Sequence, residues 1–462
     1  MRWHIALLVL LLLVPLAVPE YHASQSPIYS QYGYNSGHTG LAPWSVKPGG
    51  VIWTVHISSR PLRGMAIDAS GTIYIGSNDG NFYAIKKDGT IKWVIKGILS
   101  GCTPATPAIG SDGTIYVGCA TEYSTRTGND YLYAINPDGT IKWKIKPGPS
   151  TNSDSEPPAI TIGPDGVIYI VSADQSGISY IWAIYPNGTR KWGGWMSSYA
   201  GYPFHTVAVD PSSGTVYFGE DCYYGLAPRF WAAYPSNGAT KWQYITGDVP
   251  HGSLVVGPDG TIYIADKAGN VIAVAPNGNR KWAYNVYGEP ILGLVQPVVG
   301  PDGTIYVTET SGLVYAFSPS GTVKWKYTMA NSRRGLIWNW QGAVVGADGT
   351  IYVSNNDGFI YAINPDGTLR WTWKDPHNAS ITSNLVIDDD GYLIFGDGSG
   401  YLYRMGSPLP PPPSSQIYQF GYGPQHAGLA PWNGPKVNST LWEVRLSSSP
   451  LLAVMVGPDG TI

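Results

Sequence analysis

Ser111-Asp112-Gly113-Thr114-Ile115-Tyr116-Val117-Gly118, followed by Tyr131-Leu132-Tyr133-Ala134-Ile135-Asn136-Pro137-Asp138-Gly139-Thr140-Ile141-Lys142-Trp143, is one unit of a sentence that the chain repeats eight times. Its first half is an apolar run, a tight turn and an alternating strand. Val255-Val256-Gly257-Pro258-Asp259-Gly260-Thr261-Ile262-Tyr263-Ile264 is another copy. Pro sets φ for the first central turn position, Asp suits the next, and Gly supplies the left-handed residue that closes a bulged hairpin. The second half repeats the device, as in Tyr361 to Trp371. Each unit therefore encodes two hairpins, or four strands, named A to D from the axis outward. A repeat of about 40–50 residues built this way predicts an all-β fold, an eight-bladed β-propeller of four-stranded antiparallel blades.

The inner turns centre on Gly71, Gly113, Gly166, Gly214, Gly260, Gly303, Gly349 and Gly391. The D strands carry Trp53, Trp93, Trp143, Trp192, Trp242, Trp282, Trp325 and Trp371, one for each inner turn. Trp53 alone precedes its first A strand, and the eighth unit ends at Tyr401-Leu402-Tyr403-Arg404-Met405 with no D strand after it. The strand around Val51 to His56 is expected to complete the last blade, which removes two open sheet edges. These eight tryptophans occupy one repeated position, so they read as packing between blades and not as a stacking surface for a ligand.

Charged residues make up 13% of the chain and the net charge is −3, which argues against nucleic acid or an anionic membrane surface as a partner. Residues 1–24 have the layout of a secretory signal, with Arg2 ahead of an apolar run from Ile5 to Val14. A retained anchor is the alternative, and the mature domain itself is not expected to insert into a membrane. Cys102 precedes the second A strand and Cys119 ends its B strand, so a disulfide is open to them, as are buried thiols. Cys222 would be left free. Asn187, Asn378 and Asn438 begin glycosylation sequons.

The ring is expected over residues 27–406, followed by a Pro-rich linker over 407–415. The N-terminal opener Gly37-His38-Thr39-Gly40-Leu41-Ala42-Pro43-Trp44 then recurs as Gln425-His426-Ala427-Gly428-Leu429-Ala430-Pro431-Trp432. Residues 416–462 read as the truncated start of a second propeller, and so as a sign of a tandem arrangement.

The stretch Ala134 to Trp143 resembles the repeat of pyrroloquinoline-quinone (PQQ) enzymes, and Phe420 to Gly428 looks like the opening of many PQQ-like propellers. That superfamily holds quinoprotein alcohol and glucose dehydrogenases, BamB-type outer-membrane assembly proteins and many secreted propellers. The enzyme branch implies adjacent cysteines over the quinone, Ca²⁺ held by acidic and amide groups near the axis, an Asp base and a Trp beneath the ring. No two cysteines adjoin here, and a lipid-anchoring Cys after the leader is absent. Acidic residues stand at the inner blade ends, among them Asp79, Asp266, Asp357 and Asp397, and several, such as Asp79 in Asn78-Asp79-Gly80 and Asp357 in Asn356-Asp357-Gly358, read as turn formers.

An axial funnel would be walled by residues entering A strands and leaving B strands. The candidates are Arg63, His205, Glu220, Asp221, His251, Gln296, Arg334, Trp340, Gln341 and Asn384. His205, His251 and Asp221 are a metal-ligand set in kind, but nothing in their spacing forces them together, and ordinary loop hydrogen bonding is the preferred account of them. No catalytic or metal constellation emerges. The reading that follows is a secreted, non-catalytic propeller that binds a protein or glycan at the cell surface, with no cofactor. A PQQ- and Ca²⁺-dependent dehydrogenase of alcohols or sugars is the first alternative, and a carbohydrate-binding propeller the second.

Overall fold

The computed structural model describes residue 34 and residues 38–121, 131–146, 160–173, 179–195, 201–203, 207–222, 228–246, 254–266, 268–286, 297–309, 312–329, 343–355 and 357–407. The chain divides into a unit Met1–Ser407 and a unit Pro408–Ile462. The expected leader, the linker beyond Ser407 and the second ring opening lie outside the described residues.

Eight antiparallel blades follow one another in the first unit, beside a two-stranded sheet of Cys102–Pro104 and Cys119–Thr121; the strands of blades 2 to 7 fall within 108–145, 161–195, 201–245, 255–285, 298–328 and 344–374. Blade 1 is Leu62–Ile67, Ile73–Ser77, Phe82–Ile85 and Ile91–Ile95 in spatial order. Blade 8 takes its first three strands from Val386–Ile387, Leu393–Gly396 and Tyr401–Met405. Its fourth is the first strand of the chain, Val51–His56, paired antiparallel with Tyr401–Met405. The expected closure is therefore present, from Val51 opposite Met405 to His56 opposite Tyr401.

The turns behave as their residues dictate. In blade 5, Gly260 adopts φ +77° and donates its N–H to the Gly257 carbonyl, while Asp259 accepts from both the Thr261 N–H and its hydroxyl. Lys281, beside Trp282 on the D strand, reaches the same carboxylate at 3.1 Å. Strands B and C are buried on both faces, which is why they read as continuous apolar runs. The D strands alternate, as in Leu369–Lys374, because they form the outer edge.

Each D-strand indole joins its blade to the next. Trp93 donates to the Pro137 carbonyl, Trp143 to Pro186, Trp192 to Pro235, Trp242 to Pro276, Trp282 to Pro319 and Trp325 to Pro365, at 2.8–3.0 Å. The indole lies on the turn glycine of that hairpin. A Cβ at Gly139 would stand 3.0 Å from the Trp93 ring, so only glycine admits the approach. Trp371 is the exception. Blade 8 has no hairpin between its third and fourth strands, since these come from opposite ends of the ring. The Trp371 indole N–H is buried with no partner among the described residues.

Candidate functional site

A strands of neighbouring blades touch one another and so surround the axis. That space is taken by the chain's own N-terminal opener. His38 Nε2 lies 3.0 Å from the Thr161 hydroxyl on the A strand of blade 3. The Thr39 carbonyl accepts from Val299 of blade 6, and the Gly40 carbonyl from Val345 of blade 7. Ala42 returns an N–H to Val345, and Leu41 forms a parallel bridge with the same residue. Tyr34 brackets Ile387 of blade 8, donating to its carbonyl and accepting from its N–H.

A segment that touches blades 3, 6, 7 and 8 at once can only lie between them. Gly40 makes this possible: it has φ +70°, and a Cβ there would stand 2.5 Å from Val298 Cγ1. Burial pushes the His38 imidazole down to about 3, so it is neutral in the folded ring. The opener motif thus has a structural use that its sequence did not disclose. It stoppers the axis.

Asn384 and Arg63 are the two sequence candidates whose side chains are described. Asn384 is buried, and its amide clasps the backbone of Met65 in blade 1. Oδ1 accepts from the N–H at 2.8 Å and Nδ2 donates to the carbonyl at 3.4 Å. Arg63 donates through Nε to Asn78 Oδ1 at 3.0 Å. Glu220 and Asp221 sit on Val216–Cys222, opposite Pro203 and Tyr202 of a short added strand, Gly201–Pro203. His205, His251, Gln296, Arg334, Trp340 and Gln341 lie outside the described residues.

Three acids at the B-strand ends, Asp79, Asp266 and Asp397, act as turn formers. Asp266 Oδ1 accepts from the Asn270 N–H, and Asp397 Oδ1 from the N–H groups of Ser399 and Tyr401. Asp79 likewise accepts from Asn81.

One polar cluster escaped the sequence reading. Asp375 and His377 follow the D strand of blade 7 and meet Asp397 and Tyr403 of blade 8. The Tyr403 hydroxyl donates to Asp375 Oδ1 at 2.5 Å and lies 3.3 Å from Asp397 Oδ2. His377 Nδ1 is 2.6 Å from the same hydroxyl, which makes the imidazole the donor there, and its ring stacks on Tyr401 at 3.7 Å. Burial, reinforced by the neighbouring Asp375 charge, raises the Asp397 carboxyl; burial and Asp375 also raise the Tyr403 phenol. The two carboxylates and the imidazole offer ligand atoms within 4.8 Å of one another, but the Tyr403 proton already links the carboxylates. The Asp-Pro-His sequence after the D strand was the only signal in the chain.

A second acidic group, Asp388, Asp389 and Asp390, is met by cations. Arg404 contacts Asp388 at 2.7 Å, and Lys87 of blade 1 contacts Asp389 and Asp390 at 2.7 and 2.9 Å.

A calcium–quinone site needs oxygen donors free to face the axis. Among the described residues Asn384 spends both ends of its amide on Met65, and the inner space holds His38 to Ala42. Cys102 is disulfide-bonded, and its strand Cys102–Pro104 pairs with Cys119–Thr121.

Residues 267–405 match the family described as outer membrane protein assembly factor BamB. No curated protein matches the chain. BamB from Moraxella catarrhalis is similar in structure over 77% of this chain and 97% of its own, with TM-score 0.56 and 18% identity. The quinohemoprotein alcohol dehydrogenase of Comamonas testosteroni is similar over 88% and 84%, with TM-score 0.61 and 14% identity. A computationally designed protein, Ika8, is similar over 78% and 100%, with TM-score 0.57 and 12% identity. An assembly factor, an enzyme and a designed chain share this architecture, so the likeness carries fold and not activity. Residues 267–405 bear the BamB-type repeat, and the ring as a whole has the eight-bladed fold of the PQQ-type propellers.

Proposed function

We propose that this protein is an extracytoplasmic, non-catalytic propeller that binds a partner protein and holds it as a scaffold. The observation that carries the reading is the stoppered axis: the place where a propeller of this type could seat a cofactor is occupied by His38 to Ala42. Asn384 spends its amide on Met65, and Asp397 spends its Oδ1 on turn N–H groups. The leader-like sequence of residues 1–24 and the match to an outer membrane protein assembly factor support export and a protein partner. A glycan partner rests on the abundance of Tyr and Trp alone.

The dehydrogenase alternative draws on the repeat resemblance and the likeness to a quinohemoprotein alcohol dehydrogenase. A thermal-unfolding scan with and without PQQ plus Ca²⁺, beside a dye-linked alcohol and sugar oxidation assay, separates the two. The scaffold reading expects no shift and no turnover. A melting shift that needs both additives, with dye reduction, would replace it by the enzyme.

A further inference from the structure

The junction between blades 3 and 4 breaks the repeat. In seven of the eight blades the residue two places after the D-strand tryptophan has a side chain that packs on the next blade. These are Val55, Ile95, Ile145, Tyr244, Tyr284, Tyr327 and Trp373. Trp373 meets Phe395 and Tyr403 of blade 8 at 5.2 and 5.4 Å, both edge-on, and Tyr284 meets Phe317 of blade 6 at 5.3 Å. In blade 3 the position is Gly194. A Cβ there would meet no atom within 4 Å, and its φ lies outside the left-handed region. Backbone geometry therefore does not demand glycine at 194. Gly193 differs, because its Cβ would run into Trp182 at 2.4 Å.

The missing side chain leaves a hollow of about 380 Å³. Its walls include Phe218 and Trp231 of blade 4, stacked at 5.7 Å in the positions that Phe395 and Tyr403 hold in blade 8. Trp192 and Ile181 line the blade 3 side, and Arg190 lines it without a carboxylate partner among the described residues. We propose that this hollow binds a planar aromatic ring carrying an acidic group. The ring would take the place that Trp373 takes between blades 7 and 8, and Arg190 would meet the acid.

The test is saturation-transfer NMR on the full chain with indole-3-acetate, 3-methylindole and cyclohexylacetate at equal concentration. The proposal expects saturation of indole-3-acetate above 3-methylindole, and of both at least several-fold above cyclohexylacetate. Gly194→Trp fills the hollow from within and should remove the indole signals at least fivefold. Arg190→Gln should erase the preference for the acid. Should Gly194→Trp fail to fold, Trp231→Ala decides instead, with the same loss expected. Equal saturation of cyclohexylacetate, no saturation of indole-3-acetate, or binding retained within twofold in the folded hollow variant overturns the proposal.

Discussion

The Trp53 indole N–H donates to the Lys87 carbonyl at 3.0 Å. Trp53 belongs to the first strand of the chain yet sits in blade 8, and Lys87 is in blade 1, so this bond carries the inter-blade contact across the seam. The Lys87 side chain returns to Asp389 and Asp390 of blade 8. Trp371, one blade earlier, faces the position where no hairpin exists.

That pair sets the first prediction. Trp53→Phe and Trp325→Phe each lose a hydrogen bond and should cost about 1 kcal/mol or more. Trp371→Phe removes a buried donor that lacks an acceptor, so it should cost clearly less or stabilise. Denaturant melts of the three variants supply the comparison, and equal losses would refute the distinction.

Gly40→Val tests the axial stopper. The new side chain meets Val298 and adopts a left-handed backbone, so a loss of about 2–4 kcal/mol is expected from strain and overpacking. A melting temperature unchanged from the parent would mean that the opener does not hold this place.

His38 makes the ring sensitive to acid. Its folded pKa of about 3 lies below its unfolded value of 6.5. The unfolded chain therefore binds the extra proton, and stability is complete above pH 6.5 and falls as pH drops below it. At pH 5 the loss should be about 2 kcal/mol. His38→Gln should flatten the profile over pH 6.5 to 4, as read by unfolding at fixed denaturant.

Asp397 acts with the opposite sign. Burial raises its folded pKa above 3.8, the turn N–H of Tyr401 opposes this, and Asp375 adds to the rise. The folded state then binds the extra proton, so this group contributes stability at low pH that is lost as pH rises through the folded pKa. Asp397→Asn keeps the Oδ1 acceptor for Ser399 and Tyr401 and should be no less stable than the parent at pH 7. A large loss there would show that the charge itself is needed.

Peptide mapping without reductant should recover a Cys102–Cys119 linked fragment, because Cys102 is disulfide-bonded and its strand pairs with the strand that carries Cys119. Recovery of Cys102 linked to Cys222 would refute the pairing.

The blade count, the hairpins, the closing strand and the tryptophan contacts were all legible in the chain. Each depends on turn chemistry within a few residues, such as Pro258-Asp259-Gly260, repeated until the pattern is unmistakable. Tertiary structure alone decided the rest. His38 and Thr161 stand 123 positions apart in the chain, and Asn384 and Met65 stand 319 apart. Nothing in their local sequence announces a partner, because only closure of the ring brings blade 3 to the opener and blade 8 to blade 1. Gly194 shows the same limit. As a residue it reads as an ordinary glycine in a strand, and it becomes a hollow only because Phe218 and Trp231 of the next blade face the side chain it lacks.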